Sequence, residues 1–143
     1  MCFENFTAIP FPLPPCGGVV YVFFFRRPGV EKETIFYVGQ THRFLGRMED
    51  YRRAAFAAST DFKVGETIRY LREYRKCTIT VKYMQGENPE QHEIAIIHRL
   101  RQPPNAIPLL NDLNGYNYQE ADVDEERHRI KMFCDEILIH AAG

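Results

Sequence analysis

Two tyrosines, an arginine and a glutamate of this 143-residue chain have the side chains that phosphodiester hydrolysis requires. That reaction needs an activated water, positive charge beside the phosphate and help for the departing oxygen. Glu93 is the best candidate metal ligand, because magnesium is often held by one carboxylate together with waters and substrate phosphate. The forked, permanently charged guanidinium of Arg47 suits a phosphate. Tyr21 and Tyr37 could orient a water, or deprotonate it where a nearby cation lowers the phenol pKa.

The two tyrosines lie in a predicted antiparallel hairpin. Its strands, 18–26 and 34–39, are rich in apolar and β-branched residues and flank a loop with a Pro-Gly pair. The unbroken apolar character of the first strand predicts burial on both faces. Alternation of side chains lets Tyr21 and Tyr37 each share a face with a partner on the neighbouring strand. Gly39 is expected to let the backbone turn out of the sheet.

The rest of the chain predicts helices and one more strand. In the third helix, Ile94, Ile97 and Leu100 are expected to form the apolar stripe, with Glu93 just before it. A glutamate at that position could also be an ordinary exposed helix residue. The segment STDFKVG, residues 59–65, is expected to connect the first two helices. The predicted elements are helices at 44–58 and 65–76, a strand at 77–84, a helix from Asn88 or Pro89 to about Arg101, and a C-terminal helix at about 123–141.

These elements predict an α+β fold with a three-stranded antiparallel sheet flanked by helices. The order is β-β-α-α-β-α, with an extra C-terminal helix. The length favours one domain, which we place at 17–143 behind a Pro-rich N-terminal arm at 1–16. The C-terminal helix is expected to pack on its own domain; a homodimer or protein-partner contact is the alternative.

Composition favours an ordinary globular protein inside the cell. The chain is 45% hydrophobic and 26% charged. It has no apolar run of the ~20 residues that a membrane span needs, and its N-terminus does not resemble a signal peptide, so we expect a cytoplasmic protein and no membrane partner.

The four cysteines, Cys2, Cys16, Cys77 and Cys134, form no CxxC pair. We expect reduced thiols, with Cys77 and Cys134 packed; zinc or disulfides are the alternative.

The formal net charge of −1 conceals an uneven charge distribution. Between residues 26 and 82 there are thirteen Lys or Arg against seven Asp or Glu, whereas from 86 onward there are five against eleven. A basic middle region could present a positive face to a phosphate backbone. The alternative is that these charges are solvated helix faces.

Several short motifs occur in one order along about residues 17–110. VVY at 19–21 and YVG at 37–39 are followed by Arg47, ten positions after Tyr37, and by Glu93 in HEIAIIHRLRQPPNAI. Asn105 follows the Pro-Pro pair of that segment. Together these motifs resemble those of the GIY-YIG nucleases. The first six predicted elements of this chain also follow the order of the elements in the GIY-YIG domain.

The resemblance implies roles for individual residues. Tyr21 would be the general base, Tyr37 would position water or phosphate, and Arg47 would stabilise charge. Glu93 would be the one ligand of Mg²⁺ or Mn²⁺. Asn105 would be the organising hydrogen bonder, and Asn111, in a similar Leu-Leu-Asn context, is the alternative.

The resemblance also implies DNA as the partner. The helix that follows the second strand and the basic second helix are expected to supply contacts. Arg75 and Lys76 could extend the second helix's phosphate-facing edge. The predicted DNA-contacting residues are Gly39, Gln40, His42, Arg43, Arg52, Arg53, Arg69 and Arg72.

Two positions depart from the family pattern. Gln40 stands where some members have a lysine, and Tyr51 stands where many have a histidine. His42 could substitute for the lysine, or could simply be exposed. The main prediction is therefore a metal-dependent DNA endonuclease. The alternatives are a non-catalytic nucleic-acid-binding or interaction module with the same fold, or an unrelated α+β enzyme.

Overall fold

The structure is a computed structural model that describes residues 7–8 and 17–142. Most of the predicted N-terminal arm, 1–16, and the expectations for Cys2 and Cys16 lie outside the described residues. Cys77 and Cys134 are buried, as predicted, and both are free cysteines.

The described strands form one antiparallel sheet. The strands are β1 (Thr7–Ala8), β2 (Val19–Arg26), β3 (Thr34–Thr41) and β4 (Thr78–Gln85). Their order across the sheet is β1-β4-β2-β3, so the eight-residue β2 and β4 are central. The three predicted strands are confirmed; the two-residue β1, paired with β4, falls within the predicted arm and was not foreseen.

Four α-helices complete the α+β fold, and the predicted element order and C-terminal helix are confirmed. A π-helical turn, Tyr70–Tyr74, continues the second helix, and a 3₁₀ turn, Leu110–Asp112, follows the third. No helix of the described part of the chain is long and apolar enough to cross a membrane. The α-helices are α1 (Phe44–Arg53), α2 (Ser59–Arg69), α3 (Pro89–Leu100) and α4 (Val123–Ala142).

The boundary between α1 and α2 differs from the prediction. α1 ends at Arg53, because Ala54 adopts a left-handed conformation with φ 49°. The segment predicted to connect the helices is instead the first part of α2. Gly65 was interpreted as part of the break, yet a Cβ there would overlap the Ala54 side chain and the Tyr51 carbonyl oxygen. This glycine therefore lets the two helices approach closely.

The central strand β2 is buried on both faces, as predicted, and separates two apolar cores. The larger core lies between the sheet and α1, α2 and α4, and the smaller lies between the sheet and α3. The larger core includes Val19, Tyr21, Phe23, Phe25, Phe44, Phe62 and Phe133. The smaller core includes Val20, Val22, Phe24, Ile96, Leu100 and Leu109.

The buried stripe of α3 is shifted from the predicted one. Ile94 is 64% exposed, whereas Ile96 and Leu100 are buried. Glu93 is three residues before Ile96 and four after the buried Pro89, so it lies on their side of the helix. The carboxylate thus occupies a position within the buried stripe, where an apolar residue would be usual.

The C-terminal helix packs on its own domain, as expected. Ile130, Phe133, Cys134 and Ile137 are buried in the larger core. A contact of this helix with a second copy or another protein stays a prediction.

Candidate active site

The site begins at a cross-strand pair in the hairpin. Tyr21 of β2 lies directly opposite Gly39 of β3, and a Cβ on residue 39 would overlap the Tyr21 ring. Glycine is therefore needed here for space. The prediction that Gly39 turns the chain out of the sheet is wrong, because β3 continues to Thr41.

Three tyrosines meet on this face of the sheet. Tyr21, Tyr37 and Tyr51 are all buried, and their ring centroids are 6.2 to 6.4 Å apart. The hydroxyls of Tyr21 and Tyr51 form a short hydrogen bond. We call these three residues the phenol cluster. Tyr51 is the residue that departs from the family pattern, and its spacing of four residues after Arg47 places both side chains on one side of α1.

The phenol cluster is protonated at neutral pH. Burial raises the pKa of Tyr21, and the neighbouring Tyr37 raises it further; the hydrogen bond to Tyr51 and the charge of Arg47 oppose these effects without offsetting them. Burial likewise raises the pKa values of Tyr37 and Tyr51. The hydroxyls can thus orient a water. The predicted role of Tyr21 as a general base requires positive charge beyond that of Arg47.

Arg47 is fixed beside the phenol cluster. Its guanidinium carbon lies 4.4 Å from the centroid of the Tyr51 ring, a cation–π contact. One guanidinium nitrogen lies 2.5 Å from Asp61 and 3.4 Å from Asp50. The side chain keeps 21% of its surface exposed, so a phosphate can approach it from one side. Asp61 was not predicted, because its segment was taken for a loop.

Glu93, on α3, has no counter-charge among the described residues. Among the described residues it forms no hydrogen bond or ion pair, whereas Glu90, one turn earlier, binds His42 at 3.2 Å. Burial, and then the charge of Glu90, raise the pKa of Glu93. The charge of Glu93 also contributes to raising the pKa of Tyr37. This influence is the smallest of those on Tyr37, because α3 packs on the face of the sheet opposite the phenol cluster.

The donor set fits magnesium held by a single protein carboxylate. Among residues 7–8 and 17–142, no group of three or more His, Cys, Asp or Glu side chains is placed to hold a metal ion. Magnesium retains several waters and commonly binds through one or two carboxylates plus substrate phosphate. The oxygens of Glu93, partly buried and without an ion pair in the described part of the chain, would suit that arrangement.

An asparagine fixes the backbone between Tyr37 and Gly39. The Val38 N–H donates to Asn111 Oδ1 at 3.0 Å, and Asn111 Nδ2 donates to the Val38 carbonyl at 2.7 Å. Both backbone groups point away from β2, on the outer edge of the described sheet, where they would otherwise lack a strand partner. The side chain of Asn111 thus replaces one residue of a neighbouring strand.

In this structure Asn111, the alternative to Asn105, makes hydrogen bonds to the hairpin, and the predicted role of Asn105 in the site stays a prediction. Asn105 is exposed in the loop after α3, and its side chain forms no hydrogen bond with the described residues. Its position directly after the helix had favoured it, but distance along the chain does not report which side chain reaches β3.

The four residues near the hairpin that were predicted to contact DNA differ in their exposure to solvent. Gly39 is buried beneath Tyr21, which argues against a contact there. Gln40 is partly buried, and His42 and Arg43 are exposed. His42 pairs with Glu90 as described, and Arg43 binds Asp50 at 3.2 Å.

The predicted contacts on α1 and α2 are mostly engaged with carboxylates. Arg52 and Arg53 both pair with Glu49. Arg69 lies 2.7 Å from Glu66. Arg72 is exposed and has no ion pair among the described residues. Contact of these arginines with DNA stays a prediction.

Of the two residues that could extend the predicted phosphate-facing edge, Arg75 lies 2.9 Å from Asp135. Lys76 donates to the Glu73 carbonyl at 2.8 Å.

Comparison with known proteins adds no assignment. No protein-family model matches the chain, and neither the curated proteins nor the solved structures compared with it gave a match. The GIY-YIG resemblance thus rests on the motifs alone.

Replacing Gly39 with alanine should destabilise the protein by roughly 1–3 kcal/mol, the usual cost of forcing an extra methyl into a packed site. Gly86→Ala is the control, because a Cβ there meets no atom within 4 Å. We expect that change to stay within about 0.5 kcal/mol. Urea denaturation measures both, and equal effects would contradict the assigned contact with Tyr21.

Asn111→Ala should lower the free energy of unfolding by about 1–3 kcal/mol, because it leaves the Val38 N–H and carbonyl without their partner. Asn105→Ala should change it by less than about 0.5 kcal/mol. The two variants are compared by chemical denaturation under identical conditions. A larger loss of unfolding free energy in Asn105→Ala than in Asn111→Ala would favour Asn105 as the organising hydrogen bonder.

Glu93→Gln should raise the melting temperature at neutral pH. The folded state raises the pKa of Glu93, so its contribution to stability is present below the unfolded pKa and is lost as pH rises through the folded pKa. Glutamine does not ionise and avoids that loss, and the gain should vanish below about pH 4.

Glu90→Gln is the control, with the opposite sign. A backbone hydrogen bond and then His42 lower the pKa of Glu90. Its replacement should therefore give no stabilisation at neutral pH. Calorimetry across pH compares the variants, and a lower melting temperature for Glu93→Gln at neutral pH would show that Glu93 has a stabilising partner.

Proposed function

We propose that the protein is a metal-dependent endonuclease that hydrolyses DNA phosphodiester bonds. One observation carries the proposal: Arg47 is held against the phenol cluster with part of its side chain exposed, in a chain whose Glu93 is a partly buried carboxylate with no counter-charge among the described residues. Stability alone gives no reason to leave a carboxylate without a partner in a buried stripe. A binding role for that carboxylate does.

Each group has a physical task in this proposal. The exposed side of Arg47 binds the scissile phosphate and offsets its developing charge, while Asp61 and Asp50 fix the orientation of the guanidinium. The hydroxyls of Tyr21 and Tyr37 orient the attacking water. Glu93 would hold Mg²⁺ or Mn²⁺, which supplies Lewis-acid chemistry at the phosphate when bound.

The charge distribution supports DNA as the partner. Arg47 belongs to the basic middle region between residues 26 and 82, and a cationic surface beside the reacting phosphate raises local substrate concentration. The carboxylates that pair with its arginines reduce this field, so we expect the affinity for DNA to fall less steeply with salt than the number of arginines alone implies.

A second candidate function is a nucleic-acid-binding or interaction module without catalysis. Its support is the state of the proposed reacting groups: burial raises the pKa of all three phenols, and Arg47 is engaged by two carboxylates. In such a module the phenol cluster would serve only as part of the core.

Cleavage of supercoiled plasmid and of labelled single-stranded, duplex and branched DNA tests the proposal. We expect cutting with Mg²⁺ or Mn²⁺, none with EDTA, and a rate that falls as pH drops through the raised pKa of Glu93. Glu93→Gln and Arg47→Ala should each lose roughly 100-fold or more, the scale for removing one charge-stabilising group. Glu90→Gln is the matched control and should retain activity.

Folded wild-type protein that binds these DNAs without cutting any of them would favour the second candidate function. Cutting that persists in Glu93→Gln would remove that residue from the site.

A further inference from the structure

A stacked pair of tyrosines, one of them exposed, follows α2 away from the phenol cluster. The rings of Tyr70 and Tyr74, in the π-helical turn, stack with centroids 5.7 Å apart and planes at 28°. Tyr74 is 63% exposed. The Tyr70 hydroxyl donates to Asp135 Oδ1 of α4 at 2.8 Å, which fixes the lower ring of the stack. An exposed ring on a fixed base is therefore available to a planar ligand, in a type of turn that is common at functional sites.

Cations surround this pair. The Arg69 guanidinium carbon lies 5.7 Å from the Tyr74 ring centroid. Arg127, His128 and Lys131 of α4 line the same depression, which has a volume of about 430 Å³. Lys131 is exposed and has no ion pair among the described residues. The combination of an exposed aromatic ring with flexible cations suits a ligand with both planar and anionic parts.

The depression joins a second groove that reaches the phenol cluster. This groove, of about 560 Å³, is lined by Tyr51 and by arginines of α1 and α2. The two spaces share Glu66, Arg69 and Arg127 as walls. Together their walls contain six Lys or Arg side chains against three carboxylates. Four of these cations pair with carboxylates, whereas Lys131 in the depression and Arg72 in the groove have no ion pair among the described residues, so each of the two spaces keeps a positive charge that is free to meet a phosphate.

We propose that this surface binds a single-stranded segment of DNA, with an unpaired base stacked on Tyr74 and the phosphates following the arginines toward Tyr51. The inference rests on the proposed function in taking DNA as the ligand. Proteins that bind single strands combine a cationic groove with aromatic rings on which bases stack. In a duplex the bases are already stacked on each other, so the Tyr74 ring favours unpaired DNA. An acidic peptide would use the cations but not the exposed ring.

Fluorescence anisotropy in EDTA tests the inference on the full chain without cleavage. The probes are a labelled single-stranded oligodeoxynucleotide and the duplex of the same sequence. Tyr74→Ala should weaken single-strand binding on the order of tenfold, the effect of losing one stacked base, and should change duplex binding by less than about twofold. Tyr74→Phe retains the ring and should bind like wild type. Arg72→Ala should weaken binding of both probes.

Tyr118→Ala is the matched control, because Tyr118 is a tyrosine that is 48% exposed and lines neither groove. Single-strand binding that is unchanged in Tyr74→Ala, or weakened equally in Tyr118→Ala, would overturn the inference. If the protein cleaves DNA and Tyr74→Ala binds single strands normally, only this inference fails. If Tyr74-dependent binding occurs without any cleavage, only the endonuclease proposal fails.

Discussion

The contact between the Tyr21 ring and the backbone of Gly39 sets the geometry of the candidate site. Because residue 39 has no side chain, the ring can lie across the hairpin and bring its hydroxyl to Tyr51. Tyr51 in turn supports the Arg47 guanidinium, and Asn111 fixes the intervening backbone at the edge of the sheet. The absence of one methyl group thus determines where the proposed water-orienting and phosphate-binding groups lie.

The hairpin could be predicted because its signal is local. Eight-residue apolar strands around a Pro-Gly loop have few alternatives, and burial of β2 on both faces follows from its unbroken apolar sequence. The α+β class and the element order follow from the same local patterns. Alternation of side chains predicts that Tyr21 and Tyr37 each share a face with a partner on the neighbouring strand, but the register that brings the two tyrosines to the same face is seen only in the structure.

The remaining features depend on contacts that sequence spacing does not report. Gly65 resembles a helix break, but it marks the close approach of α1 and α2. Because the segment 59–65 was predicted to be a loop, Asp61 was not recognised as the partner of Arg47. The buried stripe of α3 was predicted to include Ile94 because buried positions are usually apolar. In the structure Ile94 is exposed, and Glu93 lies on the buried side of the helix. Asn111 lies far along the chain from β3, so only the folded structure shows that it reaches Val38.

The most direct test of the claim that Glu93 is a metal ligand is a Mn²⁺ titration in the presence of a short DNA. Electron paramagnetic resonance measures how much Mn²⁺ is bound. The account predicts one bound Mn²⁺ per wild-type chain, lost in Glu93→Gln and retained in Glu90→Gln, which alters the carboxylate one turn earlier. Equal Mn²⁺ binding by wild type and Glu93→Gln would contradict the account and leave the unpaired carboxylate without a role in metal binding.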